Sequence, residues 1–468
     1  MAALGTYLEN QRGRHVSELK DILAIPSVST DPSRVADVRR AAAWIHRRLE
    51  RAGCTRVVTH TTPLHPLVYG EWLGAQNRPT ILVYGHYDVQ PVDPIDLWHS
   101  PPFDPTIRDG RIYARGSSDD KGQVITHVLA LEAHLATAGT CPVNVKFLLE
   151  GEEEVGSESL EAFLKAHASE LACDAVVVSD TAMFAKGLPS IVYGLRGLTY
   201  LEITVRGSDR DLHSGSFGGA VINPANALVG MLARLKDARG RVTIPGFYDK
   251  VRRLTAAERK AFRALPHSDR SFRRSIGAPD LFGEAGFSAL ERMWVRPTLD
   301  INGIWAGFTG QGAKTVIPAE AHAKVSMRLV PDQTAAEISR KATAYLAKIA
   351  PKAVTLSVRE LHGGAAWVAP TDHSAMRAAG RAMHRAFGRA PVFVREGGSI
   401  PIVASFERTL RVPAVLMGFG LNDDNLHAPN EKLDLDQFYR GIEASAYLME
   451  ELAQPDRSNG ARKPARRR

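Results

Sequence analysis

The sequence predicts an α/β protein in which a helix-covered sheet domain is interrupted by a smaller, ferredoxin-like α+β domain. Three observations predict this class. In the first 190 residues, amphipathic helical stretches alternate with short apolar runs, which is typical of a sheet with helices packed on it. From Leu198 onward, apolar and polar residues alternate one by one, as they do in half-buried strands. After about Trp367 the first pattern returns, so the second domain is an insertion in the first.

The elements of the main domain follow from these patterns in chain order. Amphipathic spacing indicates helices, and short apolar runs bounded by proline, glycine or acidic residues indicate strands. We expect helices over 5–23, 36–52, 121–139, 373–387 and 435–453, and strands at Thr80–Tyr84, Val143–Leu149, Ala175–Val178 and Ala414–Met417.

The inserted domain is predicted from six elements in the order β-α-β-β-α-β, the split βαβ order of ferredoxin-like domains. They are the strand Leu198–Gly207, the helix Asn223–Lys236, the strands Leu299–Ile304 and Ala321–Val330, the helix Thr334–Ala350 and the strand Thr355–Leu361. The stretch 239–296, rich in arginine and aromatic residues, stays unassigned. The predicted domains are therefore 1–197 with 366–453, the insertion 198–365, and a basic tail, 454–468.

Composition and charge exclude several classes of protein. Of the 468 residues, 44% are apolar and 24% are charged, as in a folded globular chain. Much of the net charge of +8 lies in the 454–468 tail, which argues against a nucleic-acid-binding face. The sequence shows neither a secretory signal nor an apolar run long enough for a membrane helix. Its three cysteines are too few for a disulfide framework. We therefore expect a cytoplasmic protein that binds neither membranes nor a specific nucleic acid.

Side chains that can bind metals follow the predicted strands of the main domain. Because ligands bind beyond the carboxyl ends of strands in open α/β sheets, we expect these side chains to converge. Each of them alone has an ordinary explanation, such as a helix cap or a solvated acidic run. Two imidazoles and three carboxylates in such positions favour a Zn²⁺ or Mn²⁺ site. The residues are His86, Asp88, Glu153, Glu154, Asp180 and His427, with Asp119 in a glycine-serine loop that opens a helix.

Motifs of other enzyme chemistries are missing from the sequence. It contains no HExxH zinc motif, no GxSxG nucleophile elbow and no CxxC pair. The segment GFTGQGAKT (307–315) differs from a phosphate-binding loop because Ala313 stands where the lysine should follow glycine.

Eight motifs together resemble the dinuclear zinc metallopeptidase family that contains carnosine dipeptidases, carboxypeptidase G, aminoacylase and succinyl-diaminopimelate desuccinylase. The resemblance covers about residues 5–450, and three of the motifs are most similar to the carnosinase-like dipeptidase branch. The motifs are GHYDVQPVD (85–93), RGSSDDKG (115–122), EGEEEVGS (150–157), VVSDT (177–181), DLHSGSFGG (211–219), KTVIPAEAHAKVSMRLVPDQ (314–333), REGGSIPI (395–402) and HAPNE (427–431).

The resemblance implies a phosphorylase/hydrolase-like α/β/α sandwich as the catalytic domain, with the insertion as a lid and dimerisation domain. It also implies two divalent metal ions per subunit, Zn²⁺ by preference, with Mn²⁺ or Co²⁺ as alternatives. His86, Asp119 and Asp180 would hold one ion. Asp119, Glu154 and His427 would hold the other, so that Asp119 bridges the two.

The resemblance further assigns the chemistry. Glu153 matches the general base, which would take a proton from a metal-bridging water as this water attacks the scissile amide. Asp88 would hydrogen-bond the imidazole of His86. The peptide bond between Asp119 and Asp120 is cis in the family.

The inserted domain carries the expected substrate contacts. By the resemblance, His213 reaches the active site of the partner subunit in a homodimer formed through this domain. Arg328 and Ser399 grip the carboxylate end of the substrate, and Asn302 and His362 are further candidates for that pocket. From the residues alone, His213 would be an ordinary loop histidine and Arg328 a surface charge at a strand end.

The sequence accordingly predicts a two-metal hydrolase that cleaves dipeptides or small peptides with a free C-terminus. The alternative is an amidohydrolase of the same fold that removes acyl groups from amino acids, since the two activities differ in substrate pocket rather than in metal chemistry. A non-catalytic metal-binding scaffold is disfavoured because the base and all five ligand positions are filled.

Overall fold

The computed structural model describes residues 2–398 and 400–455, which fall into two compact units. The discontinuous unit takes the chain up to Tyr193, Ala369–Val394 and the chain from Ser405 onward. The inserted unit takes Gly194–Val368 and Arg395–Ala404. The predicted α/β class is confirmed. Ser399 and most of the predicted basic tail lie outside the described residues.

The helices agree with the sequence patterns, with one correction. The helix predicted over 5–23 is two helices, because the backbone at Gln11 leaves helical geometry with φ −97° and ψ 0°. No helix in the described part of the chain is both long and apolar enough to cross a bilayer. In chain order the helices are α1 (Ala2–Asn10), α2 (Arg12–Leu23), α3 (Val35–Arg51), α4 (Lys121–Ala138), α5 (Glu158–Ala166), α6 (Ser214–Phe217), α7 (Pro224–Ala233), α8 (Ala256–Arg263), α9 (Asp269–Ser275), α10 (Ala289–Trp294), α11 (Ala335–Ile349), α12 (Ser374–Phe387), α13 (Pro401–Leu410) and α14 (Leu435–Leu452).

The strands are mostly short. In chain order they are β1 (Arg56–His60), β2 (Leu67–Trp72), β3 (Thr80–His86), β4 (Thr106–Arg108), β5 (Arg111–Tyr113), β6 (Asn144–Glu150), β7 (Ala175–Val178), β8 (Ser190–Leu195), β9 (Gly197–Arg206), β10 (Leu212–His213), β11 (Thr298–Ala306), β12 (Val316–Ile317), β13 (Glu320–Leu329), β14 (Thr355–Gly364), β15 (Trp367–Val368), β16 (Val392–Glu396), β17 (Ala414–Leu416) and β18 (Lys432–Asp434).

The discontinuous unit is built on a sheet whose strands run in the order β1-β2-β6-β3-β7-β17-β8. The four central strands β6, β3, β7 and β17 are parallel to one another. These strands are almost fully buried, which explains why each is a continuous apolar run rather than an alternating one. The largely buried helix α4 contacts β3 and α14, and α14 also contacts α12.

The inserted unit contains an antiparallel four-stranded sheet in the order β11-β13-β9-β14. Buried and half-buried residues alternate along β9 and β13, because only one face of the sheet is covered. Helices α7 and α11 pack on that face, and Leu201, Leu228 and Ile338 belong to the shared core. With α7 after β9 and α11 after β13, this is the ferredoxin-like arrangement that the sequence predicts.

The unassigned stretch 239–296 contains α8, α9 and α10. Each begins at a capping box, in which Thr255, Ser268 or Ser288 exchanges hydrogen bonds with the residue three positions later. The Ser/Thr-x-x-Glu signature could have located α8 and α10 from the sequence, but not α9, in which the third residue is Ser271.

Candidate metal centre

Three parallel strands bring acidic and imidazole side chains to one edge of the sheet. His86 is the last residue of β3, Asp180 comes two residues after β7, and Glu153 and Glu154 lie in a short 3₁₀ turn after β6. Because β6, β3 and β7 are neighbouring parallel strands, their carboxyl ends meet at the same edge. The sheet itself therefore gathers residues that are far apart in the sequence.

Asp119 lies between two imidazoles and offers one carboxylate oxygen to each. Its Oδ1 is 3.1 Å from His86 Nε2, which is 3.9 Å from Asp180 Oδ2. Its Oδ2 is 3.0 Å from His427 Nε2, which is 3.5 Å from Glu154 Oε2. In each group of three residues, the ligand atoms lie within 4.8 Å of one another. This is the geometry expected of a carboxylate that bridges two metal ions. The Asp119–Asp120 peptide bond is cis, as the resemblance implies.

The donor set fits divalent cations. Two ligand atoms that each lie about 2.0–2.1 Å from a tetrahedral Zn²⁺ are about 3.3 Å apart. The four distances from the two imidazoles to the carboxylates, 3.0 to 3.9 Å, span that value. Carboxylate and imidazole ligands without thiolates also suit Mn²⁺ and Co²⁺. Three carboxylates outnumber two imidazoles at a site where His86 and Asp119 are buried and His427 is exposed, so cations would offset an excess of negative charge.

The pKa values of the ligand residues reflect this crowding. Burial and the neighbouring Asp119 raise the pKa of Asp180 and raise that of Glu154 to about 8. Burial alone would raise the pKa of Asp119, but hydrogen bonds with His427 and His86 bring it below its usual value. The hydrogen bond with Asp119 raises the pKa of His427 to about 9. The two imidazoles thus stabilise the ionised form of Asp119, whereas burial and the charge of Asp119 favour the protonated forms of Asp180 and Glu154.

Glu153 directly precedes the candidate ligand Glu154 and differs from it in its contacts. No group in the described part of the chain donates a hydrogen bond to its carboxylate, whereas Gln90 Nε2 donates to Glu154 Oε2 at 2.7 Å. Burial raises the pKa of Glu153 to about 7; the nearby carboxylate of Asp119 also raises it, whereas His86 lowers it. Glu153 is therefore a carboxyl group next to the candidate ligands, and no described protein group donates a hydrogen bond to its oxygens.

Asp88 links two of the segments that carry candidate ligand residues. His86 Nδ1 is 3.1 Å from the Asp88 backbone oxygen and 3.4 Å from its carboxylate Oδ1. The other carboxylate oxygen accepts a hydrogen bond of 3.1 Å from the Glu154 backbone N–H. These contacts orient the His86 ring so that Nε2 points to Asp119 and Asp180.

Two residues of the centre were missed by reasoning from the sequence. Gln90 donates to the carboxylate of Glu154, a candidate ligand, and Glu431 accepts hydrogen bonds from the loop that carries Asp119. Both lie within motifs that carry the resemblance, GHYDVQPVD and HAPNE, and this is the signal that could have found them.

The structure places four of the five expected substrate contacts in the inserted unit, and the fifth, Ser399, lies outside the described residues. His213 is exposed at the end of β10. Arg328 is half-buried on β13, where it pairs with Leu198 of β9. Asn302 is exposed at an irregularity of β11, and His362 of β14 stacks on Tyr200 with the ring centres 5.1 Å apart.

The ring of His213 has a defined hydrogen-bonding state. The Gly215 backbone N–H donates to His213 Nδ1 at 3.0 Å. Since Nδ1 accepts this bond, the neutral ring carries its proton on Nε2, which lies 3.4 Å from the Thr315 hydroxyl. His213 Nε2 is therefore a hydrogen-bond donor.

Comparison with known proteins identifies relatives along nearly the whole chain. The Cys-Gly metallodipeptidase dug1 of Schizosaccharomyces pombe is 35% identical over 461 residues, which are 95% of this chain and 97% of that protein. The human Beta-Ala-His dipeptidase is 32% identical, over 96% of this chain and 92% of that protein.

Solved structures agree with these relatives. The di-peptidase Dug1p from Saccharomyces cerevisiae superimposes with a TM-score of 0.86 at 31% identity, covering 97% of this chain and 99% of that one. Human carnosine dipeptidase 1 gives a TM-score of 0.87 at 32% identity, covering 97% and 98%. The profile of peptidase family M20/M25/M40 matches residues 82–451. The resemblance seen in the eight motifs is thus confirmed: the chain belongs to the M20/M25/M40 peptidase family and is a metallopeptidase.

Proposed function

We propose that this enzyme is a two-metal dipeptidase that hydrolyses the amide bond of dipeptides or small peptides with a free C-terminus. The observation that carries the proposal is the position of Asp119, which offers one carboxylate oxygen to each of two ligand groups. The names of the relatives support a dipeptide substrate, since they are called Cys-Gly and Beta-Ala-His dipeptidases.

In this proposal two ions are held by five side chains. His86, Asp119 and Asp180 hold one ion, and Asp119, Glu154 and His427 hold the other. Zn²⁺ is the preferred metal, with Mn²⁺ or Co²⁺ as alternatives. When bound, a pair of divalent cations lowers the pKa of a water and stabilises negative charge on the reacting carbonyl.

The protein groups supply the proton transfers. Glu153 takes a proton from the attacking water and returns it to the leaving amine. The absence of hydrogen bonds to its carboxylate within the described residues supports this role, because both oxygens can accept. Asp88 keeps the His86 ring in its orientation through the contacts at Nδ1.

The substrate contacts are proposed from the inserted unit. His213 Nε2–H donates to the oxyanion that forms from the scissile carbonyl, and the bond from Gly215 N–H supports this tautomer. Arg328 pairs with the carboxylate end of the substrate, for which a guanidinium has the right geometry. Asn302, His362 and Ser399 complete that pocket.

We also propose the domain roles and the location. Residues 1–197 and 366–453 form the catalytic domain, and 198–365 form the lid through which two chains make a homodimer. In the dimer, His213 acts in the active site of the partner subunit. The three cysteines are free thiols, which supports a reducing, cytoplasmic location.

A hydrolysis panel tests the substrate class. Metal-free enzyme is supplied with Zn²⁺, Mn²⁺ or Co²⁺ and assayed on Cys-Gly, β-Ala-His and other dipeptides beside N-acetyl and N-succinyl amino acids. Dipeptides are expected to be cleaved with the higher kcat/KM. Faster release of acetate or succinate than of any amino acid from a dipeptide would make the enzyme an N-acyl amino acid hydrolase instead.

Complementation tests the shared active site. His213→Ala and Glu153→Gln are each expected to lose most activity, the former by about 10²–10³-fold, which is the effect of removing one oxyanion donor. When the two variants exchange subunits, a heterodimer has one site with both Glu153 and the partner's intact His213. Random mixing makes about half of the dimers heterodimers, so about one quarter of wild-type activity should return.

The controls for this experiment are each variant mixed with itself under the same conditions, with subunit exchange verified by mass. If the mixture of the two variants is no more active than these controls, His213 acts within its own chain or not at all.

A further inference from the structure

The buried carboxylate of Glu431 accepts hydrogen bonds from several groups of the loop that carries Asp119. Its Oε1 accepts hydrogen bonds from the backbone N–H groups of Ser118 and Asp119, at 3.0 and 3.1 Å. Its Oε2 accepts from the Gly116 N–H at 3.0 Å and from Arg115 Nη1 at 2.7 Å. The side chains of Glu431 and Arg115 are 0% and 1% exposed, so water does not compete for these bonds.

Glu431 is also tied to the segment of His427. It follows His427 by four residues, and His427 itself has a left-handed backbone with φ 59°, a conformation that a non-glycine residue adopts only where the surroundings impose it. The Glu431 backbone oxygen accepts a hydrogen bond of 3.1 Å from the Ala114 N–H. One residue thus connects the loop of Asp119 with the loop of His427.

A second contact joins the same two loops. Asp424 Oδ2 accepts from the Ser118 hydroxyl at 2.8 Å and from the Leu421 N–H at 2.7 Å, and its Oδ1 is 2.6 Å from Lys432 Nζ. In contrast, His86 and Asp180 stand at the ends of strands β3 and β7, whose positions are fixed by the sheet.

We propose that Glu431 is a positioning residue of the metal centre, which sets the separation of Asp119 and His427. The inference rests on the proposed two-metal function. The ion held by Asp119, Glu154 and His427 depends on Glu431 through two of its three ligands, whereas the ion held by His86, Asp119 and Asp180 depends on it through one. Loss of the Glu431 carboxylate therefore weakens the first of these ions more than the second.

Glu431→Gln is the direct test. In the glutamine variant one of the two oxygens becomes an NH₂ group, which faces two N–H donors and cannot accept from either. Metal-free wild type and variant are titrated with Co²⁺ by equilibrium dialysis, with visible absorption recorded. Wild type should bind two equivalents. In the variant, the dissociation constant of one Co²⁺ equivalent should stay within a few-fold of the wild-type value, and that of the other should rise by about 10–100-fold.

The matched control is Glu132→Gln. Glu132 is also a largely buried acid of the discontinuous unit that pairs with two arginines, Arg14 and Arg48, but none of its recorded contacts is a ligand residue. This variant should lower the melting temperature of the metal-free protein while both Co²⁺ affinities stay as in wild type.

A second variant, Glu431→Asp, keeps the charge but shortens the side chain. It should weaken the binding of the same Co²⁺ equivalent that Glu431→Gln weakens, but by a smaller factor. The proposal would be overturned if the Glu431 variants bound both Co²⁺ equivalents with wild-type affinity. It would also be overturned if the affinity for both equivalents fell by the same factor. Failure of both Glu431 variants to fold beside a folded Glu132→Gln would also overturn it, since Glu431 would then be needed for folding. If wild type binds fewer than two equivalents, the two-metal function fails first.

Discussion

Replacing Glu153 with glutamine is expected to lower kcat by about 10²–10⁴-fold or more while metal content stays unchanged. The amide keeps the size of the side chain but cannot accept the proton of the attacking water. Glu153 is not among the ligand groups, and no described residue donates a hydrogen bond to its carboxylate, so its replacement leaves the surrounding contacts in place. Steady-state kinetics on a dipeptide, together with elemental analysis of the purified variant, measure both quantities.

The control for this experiment is Glu158→Gln. Glu158 is an exposed acid five residues further along, in the first turn of α5, and it should be replaceable without effect on kcat. Near-normal turnover in Glu153→Gln would remove Glu153 from the role of base. A loss of metal in that variant would instead make Glu153 a ligand or a ligand support.

Replacing Asp119 with alanine is expected to remove both metal ions and, with them, activity. One carboxylate faces both imidazoles, at 3.1 and 3.0 Å, so its loss takes one ligand from each ion at once. This distinguishes Asp119 from Asp180 or Glu154, each of which belongs to only one of the two groups. Elemental analysis after dialysis against metal-free buffer gives the number of ions per chain.

An exposed aspartate that belongs to neither group, Asp104, serves as the matched control. Asp104→Asn should retain the metal content of wild type. Two ions per chain in Asp119→Ala would contradict the bridging role, and the loss of only one would assign Asp119 to a single ion.

The fold was predictable where local pattern and burial coincide. The central strands β3, β6 and β7 are buried on both faces, so each is a continuous apolar run with recognisable ends. The alternation along β9 follows from a sheet covered on one face, which identifies the inserted unit as a different architecture. The break at Gln11 lies in the polar run ENQRGRH (9–15), where no apolar residue marks the helical period, so apolar spacing could not locate it.

The candidate site was predictable to a similar extent. Residues that follow strand ends could be expected to meet, because parallel strands share an edge. Only the family resemblance could predict that His86 and His427 both contact Asp119, since 308 residues separate Asp119 from His427. The HAPNE motif points to Glu431, but its contacts could not be read from the sequence, because they are mostly with backbone N–H groups, which leave no trace in residue type.

The position of β17 has a consequence for the making of the protein on the ribosome. This strand lies between β7 and β8 in the sheet, yet some 235 residues separate the end of β7 from its start. At about 5–20 residues per second, translation of that interval takes about 10–50 s, during which the edge of β7 has unpaired backbone groups. Such an edge is a template for pairing with other chains. Nascent chains stalled within the inserted unit would therefore present this edge to other chains, and His427, a candidate ligand, is synthesised only after β17 has been made.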